Sequence, residues 1–400
     1  MLPSKLTFDF NTIAPFGATP ANTGGTARAH RSPLMNAPTT RSTWQDLLSL
    51  RGAQADPAGI RSLGDPEGEL EAARHGPVLA LLDSLSSLQV SGADAETFLQ
   101  GQLSNDVAAL ADGEAQYAAY CSAKGRVLCI FVVLRLAAGE YELWLPRSLA
   151  ESMRKRLGMF VLRSKVTIRG AGTQEGSHGD SDRIRLGVGG PGAAAAIEAV
   201  LGAVAPRPLM RSVTDRAAVV ALAGDRYVLT VSSLHAQALW DAFTQHARPV
   251  GTATWDWLTI AAGVPVVHAA VQDQFVPQMA NLDALGAINF RKGCYSGQEI
   301  VARMQYLGRL KERLYLAHTP HATPAEGERI FSSVFGDQPC GTVVNAAPAP
   351  EGGSDLLAVM QIAAAEAGDL HLGSPEGSAL RLRALPYALP AAQLPRPRIA

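Results

Sequence analysis

The sequence is 400 residues long, with a mass of 42.1 kDa, and its 35 basic side chains balance 36 acidic ones. This length predicts two or three domains, and the net charge of -1 excludes a strongly basic protein that coats nucleic acid. The longest apolar run, residues 127–134, is far shorter than the roughly 20 residues that cross a bilayer, so we expect no membrane span.

The cysteines indicate a reducing compartment. They form no CxxC pair and no Cys/His cluster with zinc-finger spacing, so the sequence predicts neither a disulfide framework nor a metal site. We therefore expect a cytoplasmic protein. The four cysteines are Cys121, Cys129, Cys294 and Cys340.

The first 75 residues are interpreted as a mostly disordered tail. Residues 1–45 are rich in Thr, Pro, Ala, Asn and Gly, carry Asp9 as their only acid and show no apolar periodicity. Residues 27–43 are weakly similar to a transit peptide but lack an amphipathic stripe. We favour a plain tail, with Met35 as an alternative start.

From residue 76 the pattern becomes that of an α+β protein. Apolar spacing predicts a helix that carries Phe98, Leu99, Leu103 and Val107 on one face. In chain order, the elements predicted around it are a strand over 77–82, a hairpin over 127–145, a helix over 147–162, an edge strand over 165–169 and a linker over 170–182.

A second unit begins near residue 183, where hairpins alternate with helices. This alternation favours α+β over a doubly wound parallel sheet. Beyond residue 312, short strands separated by Gly and Pro turns predict a β-barrel. The predicted domains are 76–182 together with 251–311, 183–250, and 312–390.

The most informative segment is residues 289–313. Ser296 and Glu299 have capping-box spacing before a helical apolar pattern, and Gly308 fits its end. Cys294 therefore precedes a helix N-terminus, where the macrodipole and Lys292 favour a thiolate. A reactive or metal-binding sulfur and a small buried side chain both fit this position.

Three further features have two interpretations each. Six basic residues lie in 291–313 and form either an anion-binding patch or a solvated face. Asp106 lies in a polar stretch at a helix end, where turn formers are common. Trp255 and Trp257 could stack on a heteroaromatic ring or fill a core.

Together these segments resemble the YgfZ family of folate-binding proteins, relatives of the glycine-cleavage T-protein. Residues 288–303 (INFRKGCYSGQEIVAR) carry the family's K-G-C-Y-x-G-Q-E signature complete. The other matching stretches are FLQGQLSNDV at 98–107, YCSAKGRVL at 120–128, AGVPV at 262–266 and FVPQ at 275–278.

The resemblance implies three domains in a ring, the last a β-barrel, with tetrahydrofolate or a one-carbon derivative bound by the domain formed from 76–182 and 251–311. Trp255 matches a folate-site tryptophan, whereas a second family tryptophan falls near Leu85. Asp106 matches an aspartate near the folate nitrogen, so it is a candidate catalytic residue with Cys294. The cofactor-binding candidates are Trp255, Asp106, Tyr117, Lys292, Tyr295, Gln298, Glu299 and Arg303.

Two departures from the T-protein pattern imply that aminomethyl transfer is compromised. Cys129 and Ile130 replace paired acids, and Ala261 replaces a glutamate. The Cys294 motif, which the T-protein lacks, is linked in YgfZ-like proteins to maintenance of iron-sulfur enzymes, including methylthiotransferases that act on tRNA.

Three hypotheses follow. The favoured one is a folate-dependent accessory factor for iron-sulfur client proteins, with Cys294 as the working thiol, and it is not a classical enzyme. The second is a folate-dependent one-carbon transferase that uses Asp106. The third is a direct tRNA-binding module, which the near-neutral charge disfavours.

Overall fold

A computed structural model describes residues 53–56, 59–170, 183–306, 308–321 and 323–390. The predicted tail over 1–45 and nearly all of the predicted linker lie outside these ranges. The helices of the described residues are α1 Pro66–His75, α2 Ala95–Gln102, α3 Arg147–Gly158, α4 Ala193–Leu201, α5 Ser233–Phe243, α6 Thr252–Ala261, α7 Gln298–Tyr306 and α8 Ile362–Ala367.

The same ranges contain strands that form four sheets, one of which is the small pair β1 and β2. The strands are β1 Gln54–Asp56, β2 Gly59–Ser62, β3 Val78–Leu81, β4 Leu85–Ser91, β5 Ala115–Cys121, β6 Val127–Ala137, β7 Glu140–Pro146, β8 Thr167–Gly170, β9 Arg183–Gly189, β10 Arg211–Val213, β11 Ala217–Leu222, β12 Arg226–Ser232, β13 Arg248–Val250, β14 Glu312–Thr319, β15 Arg329–Phe331, β16 Gly341–Pro348, β17 Ser354–Gln361, β18 His371–Leu372, β19 Ser378–Ala379 and β20 Arg381–Arg383.

The first large sheet is antiparallel, with the order β5-β6-β7-β4-β8. It contains the predicted hairpin, formed by β6 and β7, and the predicted edge strand, β8. Helices α2 and α3 cover one face, because Phe98, Leu99, Leu149 and Met153 join the apolar core of this sheet. The four residues predicted to share the buried face of α2 are all buried, but Leu103 and Val107 lie beyond the helix, which ends at Gln102.

The second sheet has the order β10-β11-β12-β9-β3-β13. Its strand β3 lies inside the segment that we predicted to belong to the first domain, so this boundary is corrected. Strand β3 pairs antiparallel with β9 and parallel with β13. All four of its residues, Val78 to Leu81, are buried, as expected for a strand covered on both faces.

The third sheet has seven strands in the order β19-β18-β15-β16-β17-β14-β20. The two edge strands follow one another directly in the chain, because β19 ends at Ala379 and β20 begins at Arg381. The edges therefore meet and the sheet is nearly closed. The predicted α+β class and C-terminal β-barrel are confirmed.

Helix α1 corrects the predicted tail, because ordered structure is present before residue 75. Pro66 occupies the first turn, and the Asp65 side chain accepts a hydrogen bond from Gly68 N. Buried Glu69 accepts hydrogen bonds from Ser62 Oγ at 2.8 Å and Gly251 N at 2.7 Å. The polar composition of this helix hid it from a search for apolar periodicity.

The first two sheets pack face to face. Alternate residues of β6, including Val132 and Leu134, share an apolar cluster with Val220 of β11 and Val228 of β12. Helix α6 closes one end of this interface with Trp255. The helices of the described residues include none that is long and apolar enough to cross a membrane.

Candidate functional site

A cavity of about 240 Å³ lies between the first two sheets and α6, and we call it the first cavity. Its walls are largely apolar and aromatic. They include Val132 and Trp144 from the first sheet, Leu222 and Val228 from the second, and Trp255 from α6. A concave apolar site with a few polar groups is the usual environment for a small organic ligand.

Trp255 is held in place by two glycines. A Cβ atom added to Gly187 would lie 2.7 Å from Trp255 Cζ3, and one added to Gly189 would lie 3.3 Å from the same atom. Strand β9 therefore leaves room for the indole only because these positions lack side chains. On the ring, the Arg226 guanidinium carbon lies 5.8 Å from the centroid, within cation–π range.

Arg226 is a buried cation in the wall of the first cavity and is 2% exposed. Its Nε donates to Ala223 O at 2.9 Å, and its Nη1 donates to Thr259 Oγ1 at 2.6 Å. Arg226 Nη2 and Tyr117 Oη make no hydrogen bond of normal geometry within the described residues, but the two side chains lie close enough to interact with each other. Because buried polar atoms are normally paired, these two atoms are suited to a polar ligand.

Burial also perturbs the ionisation of both groups. It lowers the pKa of Arg226 and raises the pKa of Tyr117, and the Arg226 guanidinium opposes the second shift. At neutral pH the first cavity therefore presents a guanidinium and an un-ionised phenol, both of which can donate hydrogen bonds.

The lining of the first cavity also includes carboxylates. Arg61 Nη1 donates to Asp256 Oδ2 at 2.7 Å. His268 Nδ1 lies 2.6 Å from Glu326 Oε1. Burial acts to lower the pKa of His268, but the Glu326 carboxylate outweighs it, and the pKa lies above its ordinary value. The lining thus combines two carboxylates, each paired with a basic side chain, with the donors Arg226 and Tyr117.

A second group of candidate residues forms the cysteine loop, residues 289–297. Lys292 is buried, and its Nζ donates to Gln100 O at 2.6 Å, Leu103 O at 2.6 Å and Asn105 O at 2.9 Å. These carbonyls lie at and just beyond the C-terminus of α2, where a positive charge is favourable. Burial lowers the pKa of Lys292 to about 8, while the Asp106 carboxylate acts in the opposite direction.

Asp106 lies beside this lysine, outside the lining of the first cavity. Its Oδ1 accepts from Gln100 Nε2 at 2.8 Å, and its Oδ2 accepts from Asn289 Nδ2 at 3.4 Å. The preceding residue, Asn105, donates to Tyr117 O at 2.8 Å. Strand β5, which contains Tyr117, thus lies between the Asp106 cluster and the first cavity.

Cys294 is the exposed cysteine of the chain, whereas the other three are buried. Burial raises the pKa of Cys121 to about 12 and also raises the pKa of Cys129 and Cys340. Beside Cys294, Tyr295 is buried, and burial raises its pKa. The cysteine loop therefore exposes the Cys294 thiol to solvent, while the nearby side chains of Lys292 and Tyr295 are buried.

The loop packs against the turn over 122–126. Gly297 has a φ of 80°, and a Cβ there would lie 2.4 Å from Ser122 O. Gly125 has a φ of 68° and faces Ile300 of α7. Gln278 Nε2 donates to Val301 O at 2.8 Å. Residues from stretches that are far apart in the sequence thus converge on the base of α7.

Residues 65–292 match the family described as the GCVT N-terminal domain. The tRNA-modifying protein YgfZ of Klebsiella pneumoniae (strain 342) is 33% identical over 330 residues, which cover 81% of this chain and 97% of that protein. The chain belongs to the YgfZ family. Its relative of the same name in Escherichia coli O7:K1 is 31% identical over 331 residues, with coverages of 81% and 97%.

A solved structure has the same fold as this YgfZ family member. It is the glycine cleavage system aminomethyltransferase T from Bartonella henselae, with a TM-score of 0.67 and 17% sequence identity. The match covers 85% of this chain and 96% of that one. At this identity the likeness shows the fold alone, and the predicted T-protein-like fold is confirmed.

The structure divides the residues predicted for the YgfZ-type site into two groups. Trp255 and Tyr117 line the first cavity. Asp106, Lys292, Cys294, Tyr295 and Gln298 belong to or contact the cysteine loop, and Glu299 and Arg303 are exposed on α7. No observation tests the chemical role of these residues, and those roles stay predictions.

The start of α7 differs from the predicted capping box. The helix begins at Gln298, and Gln298 Oε1 accepts from Tyr295 N at 3.3 Å. The side chain that reaches back to the backbone before the helix is therefore that of Gln298 rather than the predicted Glu299, and Gly297, directly before the helix, has a left-handed backbone.

Sequence reasoning missed Arg226, Thr259, Asp256, His268 and Glu326. Arg226 directly follows a hairpin turn, where a charged residue is ordinary, and Thr259 lies one helical turn after Trp255. The only signal in the sequence for these residues was the charged Arg226 at the start of the largely apolar strand β12.

The predicted basic patch over 291–313 loses two of its six charges to internal contacts. Lys292 binds the carbonyls at the end of α2, and Arg313 binds Asp283 through both Nη atoms, at 2.6 and 2.9 Å. The charge that remains for a polyanion is smaller than the sequence indicates.

Proposed function

We propose that this chain is a folate-binding accessory factor for the assembly or repair of iron-sulfur proteins, including enzymes that modify tRNA. In this proposal the first cavity binds tetrahydrofolate or a one-carbon derivative, and Cys294 is the working thiol. The observation that carries the proposal is the exposure of Cys294 on a loop whose flanking side chains, Lys292 and Tyr295, are buried and fixed. The relatives from Klebsiella pneumoniae and Escherichia coli, which are named tRNA-modifying proteins, support the connection with tRNA.

The first cavity fits the ring part of a folate. Aromatic walls suit a flat heterocycle, and Arg226 and Tyr117 supply two adjacent buried donors that interact with each other but whose Nη2 and Oη atoms make no hydrogen bond of normal geometry in the described part of the chain. Its volume of about 240 Å³ is below the roughly 300 Å³ at which drug-sized sites begin, so the cavity suits the ring rather than the whole cofactor. When bound, tetrahydrofolate supplies a carrier for one-carbon units.

The thiol chemistry of Cys294 would be transient. Iron-sulfur clusters usually have four protein ligands, and one exposed cysteine supplies one. The three buried cysteines have raised pKa values and do not share this exposure. A mixed disulfide, a persulfide or a ligand shared with a client protein each requires only one accessible sulfur.

The cofactor assignment is tested by isothermal titration of the chain with 5-formyltetrahydrofolate. Removing one hydrogen bond to a charged group costs about 1.5–3 kcal/mol, so Arg226→Gln should weaken binding about 10- to 100-fold. Arg163→Gln, which changes an exposed arginine after α3, is the matched control. Equal affinities of wild type and Arg226→Gln would contradict the assignment.

The thiol assignment is tested in cells that lack the gene. Content of methylthio-modified adenosine in tRNA is measured after complementation with wild type, Cys294→Ala or Ser296→Ala. We expect wild type and Ser296→Ala, a change in the same loop, to restore the modification and Cys294→Ala to fail. Full restoration by Cys294→Ala would show that the thiol is dispensable.

The alternatives receive less support. A one-carbon transferase would need Asp106 at the folate, whereas its carboxylate is bonded to Gln100 and Asn289 outside the lining of the first cavity. A direct tRNA-binding module would rely on the patch over 291–313, where Lys292 and Arg313 are held internally.

A further inference from the structure

A second cavity, of about 200 Å³, lies farther along the interface between the first two sheets. Strand β6 lines both cavities with alternate residues: Val132 faces the first, and Leu134 and Leu136 face the second. Trp144 of β7 lines both, so the two cavities are neighbours. The strand period of two residues therefore places the cavities in a row on one sheet face.

The second cavity differs from the first in its charge. Arg183 of β9 and Arg211 of β10 line it together with one acid, Glu142. That acid is already neutralised, because Arg185 Nη2 lies 2.8 Å from Glu142 Oε1 and both side chains are 4% exposed. The lining thus contains two arginines and a carboxylate that a third arginine already neutralises, and the cavity has an excess of positive charge.

The guanidinium groups of Arg183 and Arg211 are available to a ligand. Neither makes a side-chain hydrogen bond or an ion pair with another of the described residues. Burial lowers the pKa of Arg211, Glu142 opposes this shift, and the charge of Arg183 adds to it. A partly desolvated cation beside a like charge is unfavourable, and an anion between the two would relieve both effects.

We propose that the second cavity binds a small oxyanion, namely a phosphate or carboxylate group, between Arg183 and Arg211. Guanidinium groups present paired donors that match the oxygens of both anions. The lining also includes Thr230 and Ser232, whose hydroxyl groups can donate further hydrogen bonds. Because Arg185 holds the Glu142 carboxylate, that acid does not compete for the two free guanidinium groups.

The proposal is tested by isothermal titration of the full chain, without folate, at constant ionic strength. One arm uses inorganic phosphate and the other uses γ-linked triglutamate, so the arms separate a phosphate source from a carboxylate source. We expect at least one of these anions to bind wild type with a Kd of about 1 mM or tighter.

The double variant Arg183→Gln/Arg211→Gln should weaken this binding at least 10-fold. The matched control is Arg163→Gln/Arg169→Gln, which removes two exposed arginines elsewhere, and it should bind as wild type does. Far-UV circular dichroism and the urea midpoint establish that each variant is folded. The proposal fails if neither anion shows binding to wild type at a concentration 10-fold above the expected Kd of about 1 mM. It also fails if the double variant binds as tightly as wild type, or if the control variant loses as much affinity as the double variant.

Discussion

Replacing Lys292 by methionine should destabilise the protein by about 3 kcal/mol. The change removes the donor for three carbonyls, those of Gln100, Leu103 and Asn105. Each unsatisfied buried acceptor costs about 1–3 kcal/mol, and the low end applies because methionine also removes the cost of burying an ammonium group. With a urea m-value of about 3 kcal/mol/M, the unfolding midpoint should fall by about 1 M.

The assay is urea unfolding followed by tryptophan fluorescence, with Lys311→Met as the control. Lys311 is exposed, and a surface substitution of this kind changes the free energy of unfolding by about 0.5 kcal/mol or less. A Lys292→Met midpoint within error of wild type would refute the reasoning, because it would mean that the carbonyls at the end of α2 find other donors at no cost.

Three further predictions concern the same region. Gly297→Ala should cost at least about 2 kcal/mol of unfolding free energy through its left-handed backbone and the contact with Ser122 O, whereas Gly293→Ala, which meets no atom within 4 Å, should be nearly neutral in the same urea assay. Ellman's reagent should modify one thiol rapidly in the native protein, and Cys294→Ser should abolish that phase; a fast phase that survives would contradict the burial of the other three. Because the pKa of Lys292 is lowered to about 8, the unfolded chain retains this proton at a pH where the folded chain has lost it. Wild type should therefore gain stability relative to Lys292→Met as pH rises from 8 to 10, and a constant difference would contradict the shift.

The sequence was sufficient wherever a local pattern determined the structure. Helix α2, the β6–β7 hairpin and the barrel strands each follow from periodicity and turn residues within a short window. The cysteine loop was found because its signature is contiguous. Exposure of Cys294 could not be predicted, since the same position before a helix also suits a buried sulfur.

Features built from distant segments could not be predicted in the same way. The sequence of a four-residue apolar strand such as β3 does not indicate which sheet the strand joins. Its place in the second sheet is set by its pairing with β9 and β13. The polar groups of the first cavity come from separate stretches, so no local spacing connects Arg226 with His268 or Glu326. Their proximity is a product of sheet packing.

The position of β3 has a consequence for synthesis of the chain on the ribosome. Val78–Leu81 is made about 100 residues before β9, its first partner in the second sheet. At about 5–20 residues per second, this strand emerges roughly 5–20 s before β9 exists. Until then an apolar segment with unpaired backbone groups is open to wrong pairing, and the nascent chain depends on whatever shields it during that interval.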